Sequence, residues 1–135
     1  VQLMRPHRPL TLVEANEKKV AFLKTLCRSL ALSRVEVRRA RAEDLARLPE
    51  LHGRFELAFC RAAARPPAAV ALALPFLRPG GSFILQAGAG LAPGTLEKMA
   101  TGHGATVGIT KTYLLGPNRR RRLVVQIEQP HPLGT

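Results

Sequence analysis

The stretch Leu10-Thr11-Leu12-Val13-Glu14-Ala15-Asn16-Glu17 sets the reading of the whole chain. Leu10 to Val13 is a short β-type run that ends on an acid. Two residues later Asn16 stands where it can cap a helix, and Glu17 then falls in the first turn, where the helix dipole favours negative charge. Val20, Leu23, Cys27 and Leu30 follow at steps of three and four, an apolar helical stripe that Leu26 widens. Lys18, Lys19, Lys24 and Arg28 fall mostly off that stripe. A strand that feeds straight into an amphipathic helix is the first half of a βαβ unit.

Outward from there the pattern repeats. Val35-Glu36-Val37-Arg38 reads as a second strand, and residues 42–48 as a short helix stopped by Pro49. Phe55-Glu56-Leu57-Ala58-Phe59-Cys60 is a third strand, apolar enough to be buried. Pro66 and Pro67 suit the start of a helix over 68–74, which Pro75 limits. Arg78-Pro79-Gly80-Gly81 reads as a turn, 82–85 as a fourth strand leaving into Gly88-Ala89-Gly90, and 95–101 as a weak helix. Two last strands, 106–115 and 123–127, are joined by Gly116-Pro117-Asn118 and a run of arginines. Strand and helix alternate about every 20–25 residues, the rhythm of a parallel sheet with helical crossovers. The last two strands have only a turn between them and should pair antiparallel. The expectation is an α/β fold, a single domain over residues 1–128 and a flexible tail over 129–135, with no internal repeat.

Composition narrows the function. The 135 residues are 46% hydrophobic and 22% charged, an ordinary globular balance. Lys and Arg number 21 against 9 Asp and Glu, a net charge of +12 that points to a polyanionic partner, nucleic acid first. Cys27 and Cys60 are too few for a disulfide scaffold or a four-thiolate zinc site, and the four histidines lack metal-ligand spacing. No apolar run approaches the roughly 20 residues needed to span a bilayer, and 1–9 has no apolar core like a signal peptide, so a cytoplasmic location without membrane association is expected. With no Trp and one Tyr, an extended base-stacking platform is not expected. The chain begins at Val1, consistent with an alternative start codon or a start inside a longer protein.

Four places can carry chemistry. Glu14, at the carboxyl end of a strand, can accept hydrogen bonds from both hydroxyls of a ribose, or simply be a helix-entry acid. Arg41-Ala42-Glu43-Asp44 follows the next strand at the same sheet edge; a backbone N–H there can meet an adenine ring nitrogen and a carboxylate its amino group, or the acids can serve only the helix start. Arg61 ends the third strand, placed to grip phosphate or a base edge, or to sit solvated in a loop. Arg119-Arg120-Arg121-Arg122 can neutralise several phosphates, or form a solvated turn. Gly88-Ala89-Gly90 lacks the spacing of a phosphate loop, and no nucleophile triad is present.

Three stretches together, Leu10 to Glu14 with Lys18-Lys19-Val20-Ala21-Phe22-Leu23, then Arg41-Ala42-Glu43-Asp44-Leu45, then Phe55 to Ala62, resemble the small-subunit ribosomal RNA guanine-N7 methyltransferases. These are the glucose-inhibited division protein B type, members of the class I S-adenosylmethionine-dependent enzymes. Leu74-Pro75-Phe76-Leu77-Arg78-Pro79-Gly80-Gly81 and Arg121-Arg122-Leu123-Val124-Val125 complete the order, so the likeness covers nearly the whole chain. It implies a Rossmann-like fold, S-adenosylmethionine as cofactor and small-subunit ribosomal RNA or the ribosomal subunit as partner. It implies that Glu14 holds the cofactor ribose, that Ala42 and Glu43 flank its adenine, and that Arg61 is the catalytic-crevice residue. Lys18, Lys19, Arg41 and Arg119, Arg120, Arg121 and Arg122 are then the RNA-facing cations.

The chain departs from the family at three points. Gln86 stands where the family has a lysine. Arg120-Arg121-Arg122 replaces Glu-Arg-His. The family's first strand and glycine-rich cofactor loop belong ahead of Val1, and the strand lies centrally, between those represented by 10–13 and 55–60. The expectation is therefore an incomplete methyltransferase domain with little or no activity as an isolated chain. A non-catalytic basic RNA- or ribosome-binding module explains the charge as well, and another substrate on the same fold would keep Glu14.

Overall fold

Asn16 caps the first helix as its position requires: its Oδ1 accepts the Lys19 N–H at 3.1 Å, closing the start of α1 (Glu17–Ser29). The computed structural model describes residues 4–61, 65–88 and 90–130. The chain divides into two compact units, Val1–Arg47 and Leu48–Thr135.

In the first unit, β1 (Leu10–Glu14) pairs in parallel with β2 (Val35–Arg39), in register from Leu10↔Val35 to Glu14↔Arg39. The connecting α1 buries Val20, while Leu23 and Cys27 are half-buried. Phe22, Leu26 and Leu30 stay exposed, so the apolar stripe is only partly covered here. No glycine ends α1; Ala31 takes the left-handed conformation (φ 52°), and Leu32 N–H donates to Cys27 O at 2.9 Å. The helix read over 42–48 is shorter, α2 (Ala42–Leu45), anchored by buried Leu45.

A 3-10 turn at Pro49–Leu51 opens the second unit. It continues through β3 (Phe55–Arg61), α3 (Pro66–Ala73), a 3-10 turn at Leu74–Phe76, β4 (Leu77–Gly88), α4 (Pro93–Thr101), β5 (Thr106–Leu115) and β6 (Arg120–Glu128). The strands lie in the order β3-β4-β6-β5, with β3 parallel to β4 and the other pairs antiparallel. Period-two alternation sends Phe83, Leu85, Leu123, Val125 and Ile127 to one face, where Val70, Leu74, Leu96 and Ala100 pack on them. Burying side chains of this size stabilises by about 1.5–3 kcal/mol each, so this is the unit's core. Ala58 and Cys60 pair with Phe83 and Leu85 and pack against that core; Leu57 and Phe59 point the other way and are 37% and 50% exposed.

The structure adds to the sequence reading at three points. The parallel strands form two separate sheets, β1-β2 and β3-β4-β6-β5, with no backbone pairing between them among the described residues. The antiparallel hairpin forms as expected, but it is β6, the second strand, that inserts beside β4. The residues read as a turn at 78–81 lie inside a longer β4, where the register against β3 shifts between Phe55 and Leu57. Gly80 supplies a φ of +76°, and Gly81 sits where an added Cβ would lie 2.9 Å from Arg78 O and 3.1 Å from Phe55 O. At the same end of β4 Gln129, in the expected tail, still exchanges backbone bonds with the strand: its N–H donates to Gly81 O at 2.9 Å and its carbonyl accepts from Gly80 N–H at 3.1 Å. No helix among the described residues is long and apolar enough to cross a membrane.

Candidate functional site

Glu14 closes β1, and the parallel pairing puts Arg39 beside it at the same end of the sheet. Its backbone carbonyl accepts Ala40 N–H at 3.1 Å, which carries the pairing one residue further and delivers the chain to Arg41, Ala42 and Glu43. The expected sheet edge is therefore real: Glu14 and the 41–43 turn sit at one end of one parallel pair. One Glu14 carboxylate oxygen accepts Asn16 N–H at 3.0 Å, and the other has no partner among the described residues. Ala42 and Glu43 are the first two residues of α2, and their N–H groups make no backbone hydrogen bond among the described residues. This end of the unit thus offers an acceptor oxygen and two outward donors. Lys18 and Lys19 are exposed in the first turn of α1, and Arg41 is exposed just before α2, with no capping bond from its side chain. A hollow of about 620 Å³ in this unit lies elsewhere, at the far end of α1 near Lys24, Arg28 and Leu32, and touches none of these residues.

In the second unit Arg61 closes β3 and pairs with Gln86 of β4. A cavity of about 480 Å³ opens there, with Arg61, Gln86, Gly88, Tyr113, Leu115 and Arg122 in its wall. The arginine run does not act as one group. Arg119 sits in the hairpin turn in the left-handed conformation (φ 47°), its N–H donating to Gly116 O at 3.0 Å. Arg120 opens β6. Alternation then separates the next two: Arg122, paired with Gly88 on one side and Tyr113 on the other, lines the cavity, and Arg121 is directed to the opposite face and is exposed. Arg61, Arg121 and Arg122 form no ion pair with any described acid. Sequence reasoning missed Tyr113, Leu115 and Gly88 as residues of the cavity that Arg61 lines. The signal lay in strand register across β4, β6 and β5, which depends on β6 inserting beside β4. Ala62, at the end of the matching motif, and Ala89 lie outside the described residues.

The same fold recurs in solved structures. The M. jannaschii TYW2 structure in complex with AdoMet superimposes with a TM-score of 0.70 at 13% identity, covering 90% of this chain and 58% of that one. Burkholderia thailandensis 1,6-didemethyltoxoflavin-N1-methyltransferase gives 0.61 at 15% identity, covering 92% and 72%. The chain thus has the Rossmann-like class I methyltransferase fold. The family model for rRNA small subunit methyltransferase G matches residues 1–100. Ribosomal RNA small subunit methyltransferase G of Desulfitobacterium hafniense is 31% identical over 131 residues, 96% of this chain and 55% of the relative. That of Moorella thermoacetica is 33% identical over 136 residues, 98% of this chain and 56% of the relative. The chain belongs to the rRNA small subunit methyltransferase G family, and it spans about half the length of these curated relatives.

Proposed function

We propose that this chain is part of an S-adenosylmethionine-dependent methyltransferase domain that includes both units and modifies guanine N7 in small-subunit ribosomal RNA. The supporting observation is the convergence of Glu14 and the 42–43 turn on one sheet end, in a chain whose family match runs across both units. The residues fit the adenosine end of the cofactor. Glu14 keeps a carboxylate oxygen for ribose hydroxyls, the Ala42 and Glu43 amides are donors for an adenine ring nitrogen, and the Glu43 carboxylate is an acceptor for its amino group. When bound, S-adenosylmethionine supplies a methyl group already activated on a sulfonium.

Guanine N7 carries its own lone pair, so no residue has to remove a proton before transfer. The protein's task is to hold N7 in line, exclude water and tolerate the positive charge that reaches the base, which is catalysis by positioning. Arg61 serves that task by holding phosphate or the base edge rather than by acid–base exchange. Lys18, Lys19, Arg41 and the cations of 119–122 hold the RNA backbone, and the compartment is the cytoplasm, where ribosomes are found.

The test is transfer of a tritiated methyl group from S-adenosylmethionine to small ribosomal subunits, by this chain joined to the amino-terminal part of the Moorella thermoacetica relative. Incorporation into the rRNA, lost in Glu14→Ala, is the expected result. Cofactor binding without incorporation into rRNA would leave the fold and remove the substrate. RNA binding without cofactor binding would favour a non-catalytic RNA module.

A further inference from the structure

The wall of the 480 Å³ cavity holds two cations and no acid. It also contains Tyr113, the one tyrosine of the chain, which has no Trp. Register fixes how these groups are spaced. Arg61 and Gln86 are cross-strand partners on β3 and β4. Two residues further along β4, Gly88 faces Arg122 of β6, and Arg122 faces Tyr113 of β5. With strands about 4.8 Å apart and a rise of about 3.4 Å per residue, Arg61 and Tyr113 stand roughly 16 Å apart, three strands across and two residues along, with Gln86 and Arg122 on the strands between. The Arg122 guanidinium lies against Gly88, its Nη1 3.9 Å from where a Cβ would stand. Neither arginine has an acidic partner among the described residues, and both charges face the cavity as ligand-binding groups. The volume is within the range of small-ligand sites, which begins at about 300 Å³.

A ligand for this wall needs negative charge for two arginines, a flat π-face for Tyr113 and a hydrogen-bonding edge for Gln86. Inorganic phosphate satisfies the first requirement alone. We propose that the cavity receives a single purine nucleotide of the RNA substrate, its phosphate held by Arg61 and Arg122, its base lying against the Tyr113 ring and its edge read by the Gln86 amide. A side-chain amide has one donor and one acceptor side by side and matches the O6 and N1–H of guanine. Stacking on an aromatic ring and charge-assisted bonds to phosphate are the means by which proteins hold an unstacked base. This reading rests on the rRNA methyltransferase proposal and makes Tyr113, Gln86 and Arg122 substrate-positioning residues.

Because Tyr113 is the one tyrosine, a chain labelled with carbon-13 at its tyrosine ring gives a single NMR probe inside the cavity. Guanosine 5′-monophosphate should move the Tyr113 ring-proton signal upfield and saturably, through the ring current of the stacked base. Ribose 5-phosphate, which has the charge and no base, should compete for the site without the upfield shift. Arg122→Gln, which keeps a polar side chain of similar reach, should weaken nucleotide binding by about tenfold. A Tyr113 signal unmoved by the nucleotide, or shifted equally by ribose 5-phosphate, overturns the proposal, as does unchanged nucleotide affinity in Arg122→Gln. In the completed enzyme, Tyr113→Leu should raise KM for ribosomal subunits while leaving cofactor affinity unchanged; an unaltered KM likewise overturns it. A nucleotide shift at Tyr113 in a protein that transfers no methyl to rRNA would keep the cavity assignment and discard the proposed reaction.

Discussion

Glu14 shows what one residue contributes and what it does not. Its side chain accepts a hydrogen bond from Asn16 N–H in an exposed setting, a bond worth about 0.5–1.5 kcal/mol at most. Glu14→Ala should therefore leave the urea midpoint of the chain nearly unchanged while removing cofactor binding from the completed enzyme; a protein that fails to fold would make Glu14 a structural residue instead. Gly81 behaves in the opposite way. Gly81→Ala drives a methyl group against the carbonyl oxygens of Arg78, Phe55 and Glu56, at 2.9, 3.1 and 3.2 Å, and backbone there cannot give way cheaply. A loss of about 1–3 kcal/mol in denaturant unfolding is expected, and an unchanged midpoint would show that the strands relax. Both residues were visible in the sequence, Glu14 as a strand-end acid and Gly81 as part of a turn. The reason Gly81 must be glycine was not, because the register shift between β3 and β4 that brings three carbonyls together is a tertiary event.

At the scale of elements, β6 carries the difference between sequence and structure. Read as a linear run, Arg119 to Arg122 is one dense patch of charge. As a turn followed by a strand it is divided, with Arg121 and Arg122 leaving opposite faces. One RNA strand then meets about half of it. Replacing all four with Ala should lower the slope of log affinity against log salt by about 1.4–1.8, two phosphate contacts, and a fall of about 2.8–3.6 would show four arginines acting together. β3 is exposed for a related reason. It pairs with β4 on one edge and has no strand on the other among the described residues, and it presents Leu57 and Phe59 outward. An open edge with apolar side chains invites pairing with another chain. Light scattering should detect self-association of the 135-residue chain that Phe59→Lys reduces; equal scattering by both would place the contact elsewhere. The strands and helices were readable from period-two runs, prolines and the Asn16 cap. Strand order was not, since adjacency in a sheet leaves no trace in local periodicity.

For the molecule as a whole, the two units carry different parts of the proposed chemistry: Glu14 and the 42–43 turn in the first, Arg61 and the nucleotide-sized cavity in the second. In the proposed reaction Glu14 and the 42–43 turn hold the ribose and adenine of the cofactor, and no residue is assigned to its methionine end. Calorimetric titration of the 135-residue chain should accordingly show no micromolar affinity for S-adenosylmethionine, and a clear micromolar dissociation constant would mean that another segment holds the methionine. In the proposed reaction the atom that receives the methyl group is guanine N7. Methylation at N7 leaves guanine with a positively charged imidazole ring, which borohydride reduces and aniline then converts into a strand break. Small subunits lacking the modification, treated with the completed enzyme and S-adenosylmethionine and then with borohydride and aniline, should give one new break in the small-subunit rRNA at a guanine. Tritiated methyl groups appearing in the rRNA with no new break would contradict transfer to N7.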